Sequence, residues 1–150
     1  MTERLEADIA DDITDGCALV VSRKGELALR AVRGWADRAA GRKLQDDDVF
    51  ATMSVGKQFT FTLALIMCDK GLMNLHMRIG DLIPEFREKG LKTMSLFHLL
   101  THTSGLESEW PPVPLDVLLD NSKMTAHAAT RRPEAAPGSV VSYSTMVGAA

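Results

Sequence analysis

The sequence predicts an α/β fold (α+β in detail), an antiparallel hairpin followed by a mainly helical region. Three observations predict it. Residues 17–32 carry two short apolar runs around a Gly-containing turn, and residues 54–71 read as a long apolar helix with a clear end. After residue 32 no further clear strand is read, while several short helical segments are. A lone two-stranded hairpin is marginal by itself. The sheet is therefore expected to be incomplete in this chain and finished by residues outside it.

The elements run in order. Thr2 to Ile13 forms an amphipathic helix, with Thr2 as N-cap and Leu5, Ile9 and Ile13 recurring every fourth position. "CALVVS", Cys17 to Ser22, is the first strand. Arg23-Lys24-Gly25-Glu26 is the turn, and Leu27 to Val32 is the second strand, with Leu27, Leu29 and Ala31 alternating against Arg30. "GWADRAAGRKLQDDD" is a polar loop. The helix after Ser54 ends at Asp69-Lys70-Gly71, with glycine just past its last turn. It is apolar on most faces, through Phe59, Phe61, Leu63, Leu65, Ile66 and Met67, so it is expected to be enclosed by other structure. "LHMRIGDLIPEF" gives a short helical turn stopped at Pro84. "TMSLFHLLTHTSGL" gives a compact helix with Ser95 as N-cap and Gly105 just past its end. "EWPPVPLD" is an extended loop, "PLDVLLDNS" a helix candidate and "RRPEAAPGSVVSYS" a turn-rich connection. "YSTMVGAA" then stops in a small apolar run with no closing cap.

Composition narrows the classes. The chain has 150 residues, 45% hydrophobic and 25% charged, with a formal charge of -3. This is ordinary for a globular protein of one domain. The 17 basic residues form no block or stripe, which argues against nucleic acid as a partner. The acidic, polar start lacks the features of a signal peptide, and no apolar run approaches the ~20 residues of a membrane span. A cytoplasmic protein with no membrane association is expected. Cys17 and Cys68 lie far apart without metal-ligand spacing and read as buried thiols.

Ser54 and Lys57 carry the chemistry. At i and i+3 they share one helix face, and Ser54 falls where backbone N–H groups are free. A serine hydroxyl is a poor nucleophile until a neighbour takes its proton. A lysine in an apolar enclosure can be that base or stabilise another one. Ser-x-x-Lys is also a common tetrapeptide, in which the serine is a helix cap and the lysine a solvated side chain. Other candidates are weaker. His98 and His102 have the i, i+4 spacing of a zinc pair, but Leu99 follows His98 where a Glu would belong, and no third ligand is evident. No metal and no cofactor are expected. Asp46, Asp47 and Asp48 read as a solvated loop that caps the element after it, and Met53, Met67, Met73, Met77 and Met94 as core fillers.

Three stretches together carry a resemblance. "FATMSVGKQFTFTLALIMCDKGLMNLHMRIGDLIPEF", "LKTMSLFHLLTHTSGL" and "APGSVVSYSTMVGAA" occur in the order of the signature regions of the serine β-lactamase and penicillin-binding-protein-like superfamily. They are most similar to its class C β-lactamase and esterase branch. The resemblance runs from about Cys17 to the end. It implies a β-lactamase/transpeptidase-like fold, an antiparallel sheet flanked by helices with a helical subdomain. Residues 1–150 would be the N-terminal portion of one such domain. It implies Ser54 as the acylated nucleophile, Lys57 as proton acceptor or organiser, and Tyr143 as the base or acid serving Ser54 and the leaving group. A phenol working near neutrality needs a depressed pKa, and the Lys57 cation is a plausible cause.

Two departures from the family pattern shape the expected substrate. Thr145 stands where the family has Asn, and it lacks the amide's reach and second donor. That favours an ester over an amide or β-lactam substrate, with Thr145 in the substrate site. Trp110, in the loop "EWPPVP", either lines an acyl pocket or simply packs. The family's Lys-Thr-Gly or His-x-Gly strand, which supplies a second oxyanion N–H, is not in the sequence. The expected function is a serine hydrolase, an esterase first, with acyl transfer to another acceptor, β-lactamase or D-peptidase activity and a non-catalytic remnant as alternatives. A small ester, amide or acyl compound is the expected partner, with a missing C-terminal segment or a second chain completing the sheet.

Overall fold

The structure is a computed structural model, and it describes residues 1–87, 90–106 and 113–144. The chain divides into two compact units, Met1–Ala51 and Thr52–Ala150.

The first unit holds helix α1 (Thr2–Ala10) and strands β1 (Gly16–Arg23), β2 (Glu26–Asp37) and β3 (Arg42–Lys43). The strands form an antiparallel sheet in the order β1-β2-β3. Arg23 pairs with Glu26, so the hairpin loop is the two residues Lys24 and Gly25. Both have positive φ, 53° and 83°, the backbone of a type I′ turn that suits the strand twist. This is the hairpin the sequence predicts. Two expectations fail. β2 runs on to Asp37, and the polar loop contributes β3, whose Lys43 ammonium sits 3.3 Å from the centre of the Trp35 ring. A cation resting on an indole pins a two-residue strand that hydrophobic alternation could not reveal. The helix ends at Ala10, with Met1 rather than Thr2 as its cap, and Ile13 lies exposed beyond it. Asp48 closes the loop after β3, accepting from the Gln45 N–H at 2.7 Å and from Arg42 at 2.7 Å. Asp48 thus holds the residues before it and does not cap the element after it as expected, while Asp46 pairs with Arg30 at 3.1 Å.

The second unit opens with a 3₁₀ turn (Met53–Val55) that runs directly into α2 (Gly56–Asp69). Helix α3 (Ile79–Leu82), a 3₁₀ turn (Pro84–Arg87), α4 (Leu96–Leu100), α5 (Leu115–Leu118) and α6 (Asn121–Thr130) follow. Met77–Ile79 lies antiparallel to Met94–Leu96, joined by Ile79 N–H to the Met94 carbonyl (3.0 Å) and Leu96 N–H to the Met77 carbonyl (3.1 Å). The core gathers around these segments, on Phe86, Leu91, Met94, Leu99, Leu106 and Ala128.

Helix α2 meets that core along one stripe only, Phe61, Ala64 and Cys68, at i, i+3 and i+7. Phe59, Leu63, Leu65 and Ile66 are exposed, Phe59 to 71%. The expected enclosure of α2 is thus not found among the described residues. Met53 is exposed rather than a core filler, and both cysteines are free and half-buried rather than buried. Among the described residues, no helix is long and apolar enough to cross a membrane.

Candidate active site

The residues leading into α2 set up the first half of the site. Met53 has φ of +46°, a left-handed conformation that is rare for a non-glycine residue. The following 3₁₀ turn presents Ser54 on an exposed surface, and the Val55 N–H donates to the Thr52 carbonyl at 3.0 Å. No side chain caps either the turn or α2. The reading of Ser54 as a helix cap is therefore not met; its hydroxyl has a different partner. Lys57, one turn on, is half-buried.

That partner is Tyr143. Interaction with the Ser54 hydroxyl does most to hold the Tyr143 pKa below the ordinary phenol value. Desolvation opposes it, while the nearby Lys57 ammonium adds to the lowering. A serine that donates to the phenol oxygen favours the phenolate, and that is the direction in which a proton would leave the hydroxyl. The Lys57 ammonium lies 5.4 Å from the centre of the Tyr143 ring. The structure thus brings Ser54, Lys57 and Tyr143 together from two segments far apart in sequence. Trp110 and Thr145, the two expected substrate contacts, lie outside the described residues.

The second half of the site is the run His102 to Leu106. The sequence places His98 and His102 on one helix; the structure does not. α4 stops at Leu100, and His102 has φ of +53°. Its N–H donates to the Leu99 carbonyl (3.2 Å) and the Thr103 N–H to the His98 carbonyl (2.8 Å), the two bonds of a Schellman helix end. The left-handed residue of that motif is usually glycine; here it is histidine. The two imidazoles consequently serve different neighbours. His98 Nδ1 accepts from the Ser95 N–H at 3.1 Å, so Ser95 caps α4 as expected but with His98 as its reciprocal partner.

The His102 imidazole lies against the Tyr143 ring, centroids 4.6 Å apart and planes tilted by 34°. The Phe61 ring of α2 lies 5.9 Å from the same imidazole. Its Nδ1 is buried with no hydrogen-bond partner among the described residues. Burial first, and then the Lys57 charge, push the His102 pKa below the usual histidine value, which keeps the ring neutral near pH 7.

Backbone bonds lash the tyrosine segment to this run. The Glu134 N–H donates to the Gly105 carbonyl (2.8 Å), the Gly138 N–H to Thr103 (2.7 Å) and the Ser142 N–H to His102 (2.8 Å). Gly105 has φ of +77°, and a Cβ there would collide with the Ala135 carbonyl oxygen. The glycine is required because two backbones meet at that point. Sequence reasoning by residue type missed His102 and Phe61 as neighbours of the site. No glycine or proline directly after Leu100 signals that the helix stops in time to turn His102 toward Tyr143.

Comparisons with known proteins bear on the family and the fold. A family model described as "Beta-lactamase" matches residues 2–147. Esterase EstB of Burkholderia gladioli is 36% identical over 95 residues, 61% of this chain and 24% of that protein. Penicillin-binding protein 4 of Amycolatopsis lactamdurans is 32% identical over 111 residues, 72% of this chain and 29% of that protein. The crystal structure of a family VIII carboxylesterase superposes with a TM-score of 0.83 at 27% identity, covering 95% of this chain and 38% of its own. The chain thus spans 24% and 29% of the length of these two curated relatives.

Proposed function

The chain belongs to the β-lactamase family, and from that premise we propose that it carries the acylation half of a serine hydrolase site, with an ester as substrate. The observation that carries the reading is the grouping of Ser54, Lys57 and Tyr143, with the Lys57 ammonium 5.4 Å from the Tyr143 ring centre and the phenol pKa held down first by Ser54 and then by Lys57.

The steps come from those groups. The Tyr143 phenolate takes the Ser54 proton as Oγ forms a bond to the ester carbonyl carbon. The carbonyl electron pair moves onto oxygen, and the Lys57 cation balances the phenolate before the transfer. Collapse of the tetrahedral species breaks the ester C–O bond, and Tyr143 returns its proton to the leaving alcohol. The regenerated phenolate then takes a proton from water as the water oxygen bonds to the acyl carbon, and returns it to Ser54 Oγ as the acid leaves. The Ser54 N–H is one donor for the developing oxyanion. A further segment, on the same polypeptide or on a second chain, supplies the other; loss of one donor lowers turnover by ~10²–10³. The resemblance to an esterase and to a carboxylesterase structure, together with Thr145 in place of Asn, supports an ester over a β-lactam or peptide. Acyl transfer to an acceptor other than water shares the first half-reaction.

A fluorophosphonate probe tests the nucleophile. Ser54 is expected to be modified, as read by mass spectrometry of the labelled peptide. An unlabelled Ser54 would favour a non-catalytic remnant. p-Nitrophenyl esters beside nitrocefin then test the substrate class. Turnover of nitrocefin without turnover of the esters would overturn the ester assignment.

A further inference from the structure

We propose that His102 is a positioning residue whose imidazole is the platform that holds the Tyr143 ring at Ser54 and Lys57. The inference rests on the reading of Tyr143 as the proton carrier of the site.

Three observations carry it. The first is conformational. His102 occupies the left-handed position of a Schellman helix end, where the backbone alone makes the two hydrogen bonds. Glycine would serve that cap without the steric penalty a side chain brings. The imidazole is therefore not explained by the cap, and backbone strain of this kind collects where a side chain has another task.

The second is contact. The ring meets Tyr143 at 4.6 Å and Phe61 of α2 at 5.9 Å. It thereby links the helix that carries Ser54 and Lys57 to the segment that carries Tyr143. Tyr143 is itself 46% exposed, so its orientation depends on few neighbours. The His102 carbonyl also accepts from the Ser142 N–H, so backbone and ring of one residue fix the tyrosine from both sides.

The third is electrostatic. The titratable groups set against the imidazole are Lys57 from α2 and Tyr143 from the terminal segment. Its Nδ1 has no partner among the described residues, and the contacts the ring makes there are the packing contacts with Tyr143 and Phe61. A neutral ring adds no second positive charge beside Lys57 and Tyr143. Because His102 does not touch the reacting atoms, its effect passes through Tyr143.

His102→Gly separates the cap from the platform. It keeps the left-handed backbone and removes the ring. The variant is expected to melt no lower than the unmodified chain. Tyr143 is the sole tyrosine, so ¹³Cζ-tyrosine NMR reads its titration directly. Its midpoint is expected to move up toward the ordinary phenol value, and fluorophosphonate labelling of Ser54 to slow on the order of tenfold. His102→Phe, which restores a ring, is expected to bring both readouts back toward the unmodified chain. An unchanged Tyr143 midpoint in His102→Gly, or a His102→Phe variant that does no better than glycine, would overturn the proposal. Should His102→Gly melt too low to study, His102→Asn keeps a residue tolerant of positive φ and decides the same question. If Ser54 of the unmodified chain resists the probe, the hydrolase reading fails, whereas the tyrosine titration still decides the role of His102.

Discussion

Tyr143 stands between two unlike flanks. On one side, the start of α2 offers an exposed Ser54 and a half-buried Lys57, with a strained Met53 before them and no side-chain cap. On the other, the run His102 to Leu106 is bound bond by bond to 134–142, with Ser104, Gly105 and Leu106 buried. On the proposed mechanism the first flank supplies reactivity, with few packing contacts. The second supplies position. Reactive groups can stay exposed because a rigid neighbour places their partner. Substitutions should therefore divide by flank: activity should fall on one side, stability on the other.

The largest expected effect is at the reactive flank. Ser54→Ala should abolish fluorophosphonate labelling, while thermal melting shifts by no more than about 0.5 kcal/mol, as for other surface changes. A large loss of stability would show that the first turn of α2 is structural after all. Next is Tyr143→Phe, which should slow labelling by ~10²–10⁴. In the unmodified chain the labelling rate should rise with pH as the phenol ionises. The rise should lie below the ordinary phenol range, since Ser54 first and then Lys57 favour the phenolate. Lys57→Met should move the rise to higher pH; an unmoved profile would remove Lys57 from the site. On the positioning flank, Gly105→Ala should destabilise by about 2–4 kcal/mol in urea unfolding, from positive φ plus the collision with the Ala135 carbonyl. The smallest effect should come from the open side of α2. Phe59→Ser should change stability by no more than about 0.5 kcal/mol. A loss of several kcal/mol there would mean that Phe59 is covered in solution.

The same division governs what can be read in the sequence. The hairpin is legible because Lys24-Gly25 is a local turn signal between two apolar runs. The α2 boundaries are legible from Ser54 and Gly71. Ser54, Lys57 and Tyr143 are found through motif order, which says nothing of their contacts. The rest depends on interactions that no periodicity encodes. β3 rests on one cation over one ring, Lys43 on Trp35. The left-handed turn at His102 looks like continuing helix in sequence. α6 escapes the sequence reading although its cap is visible: Asp120 accepts from the Lys123 N–H at 3.0 Å, an N-cap just ahead of an alanine-rich run. The exposure of α2 cannot be read at all, because apolarity reports what a helix needs and not what this chain provides.

The hydrogen bond from Ser142 to His102 has a consequence in time. The Lys24-Gly25 hairpin needs only local contacts, and such hairpins form in ~1–10 μs. Bringing residue 142 to residue 102 closes a loop of about 40 residues, at a chain-entropy cost of roughly 3 kcal/mol. That closure is worthwhile only once α4 has ended in its left-handed turn and Gly105 has admitted the returning strand. The phenol therefore reaches the serine late in folding. Until then Ser54 and Lys57 stand without Tyr143 beside them, and on the proposed mechanism the serine has no base.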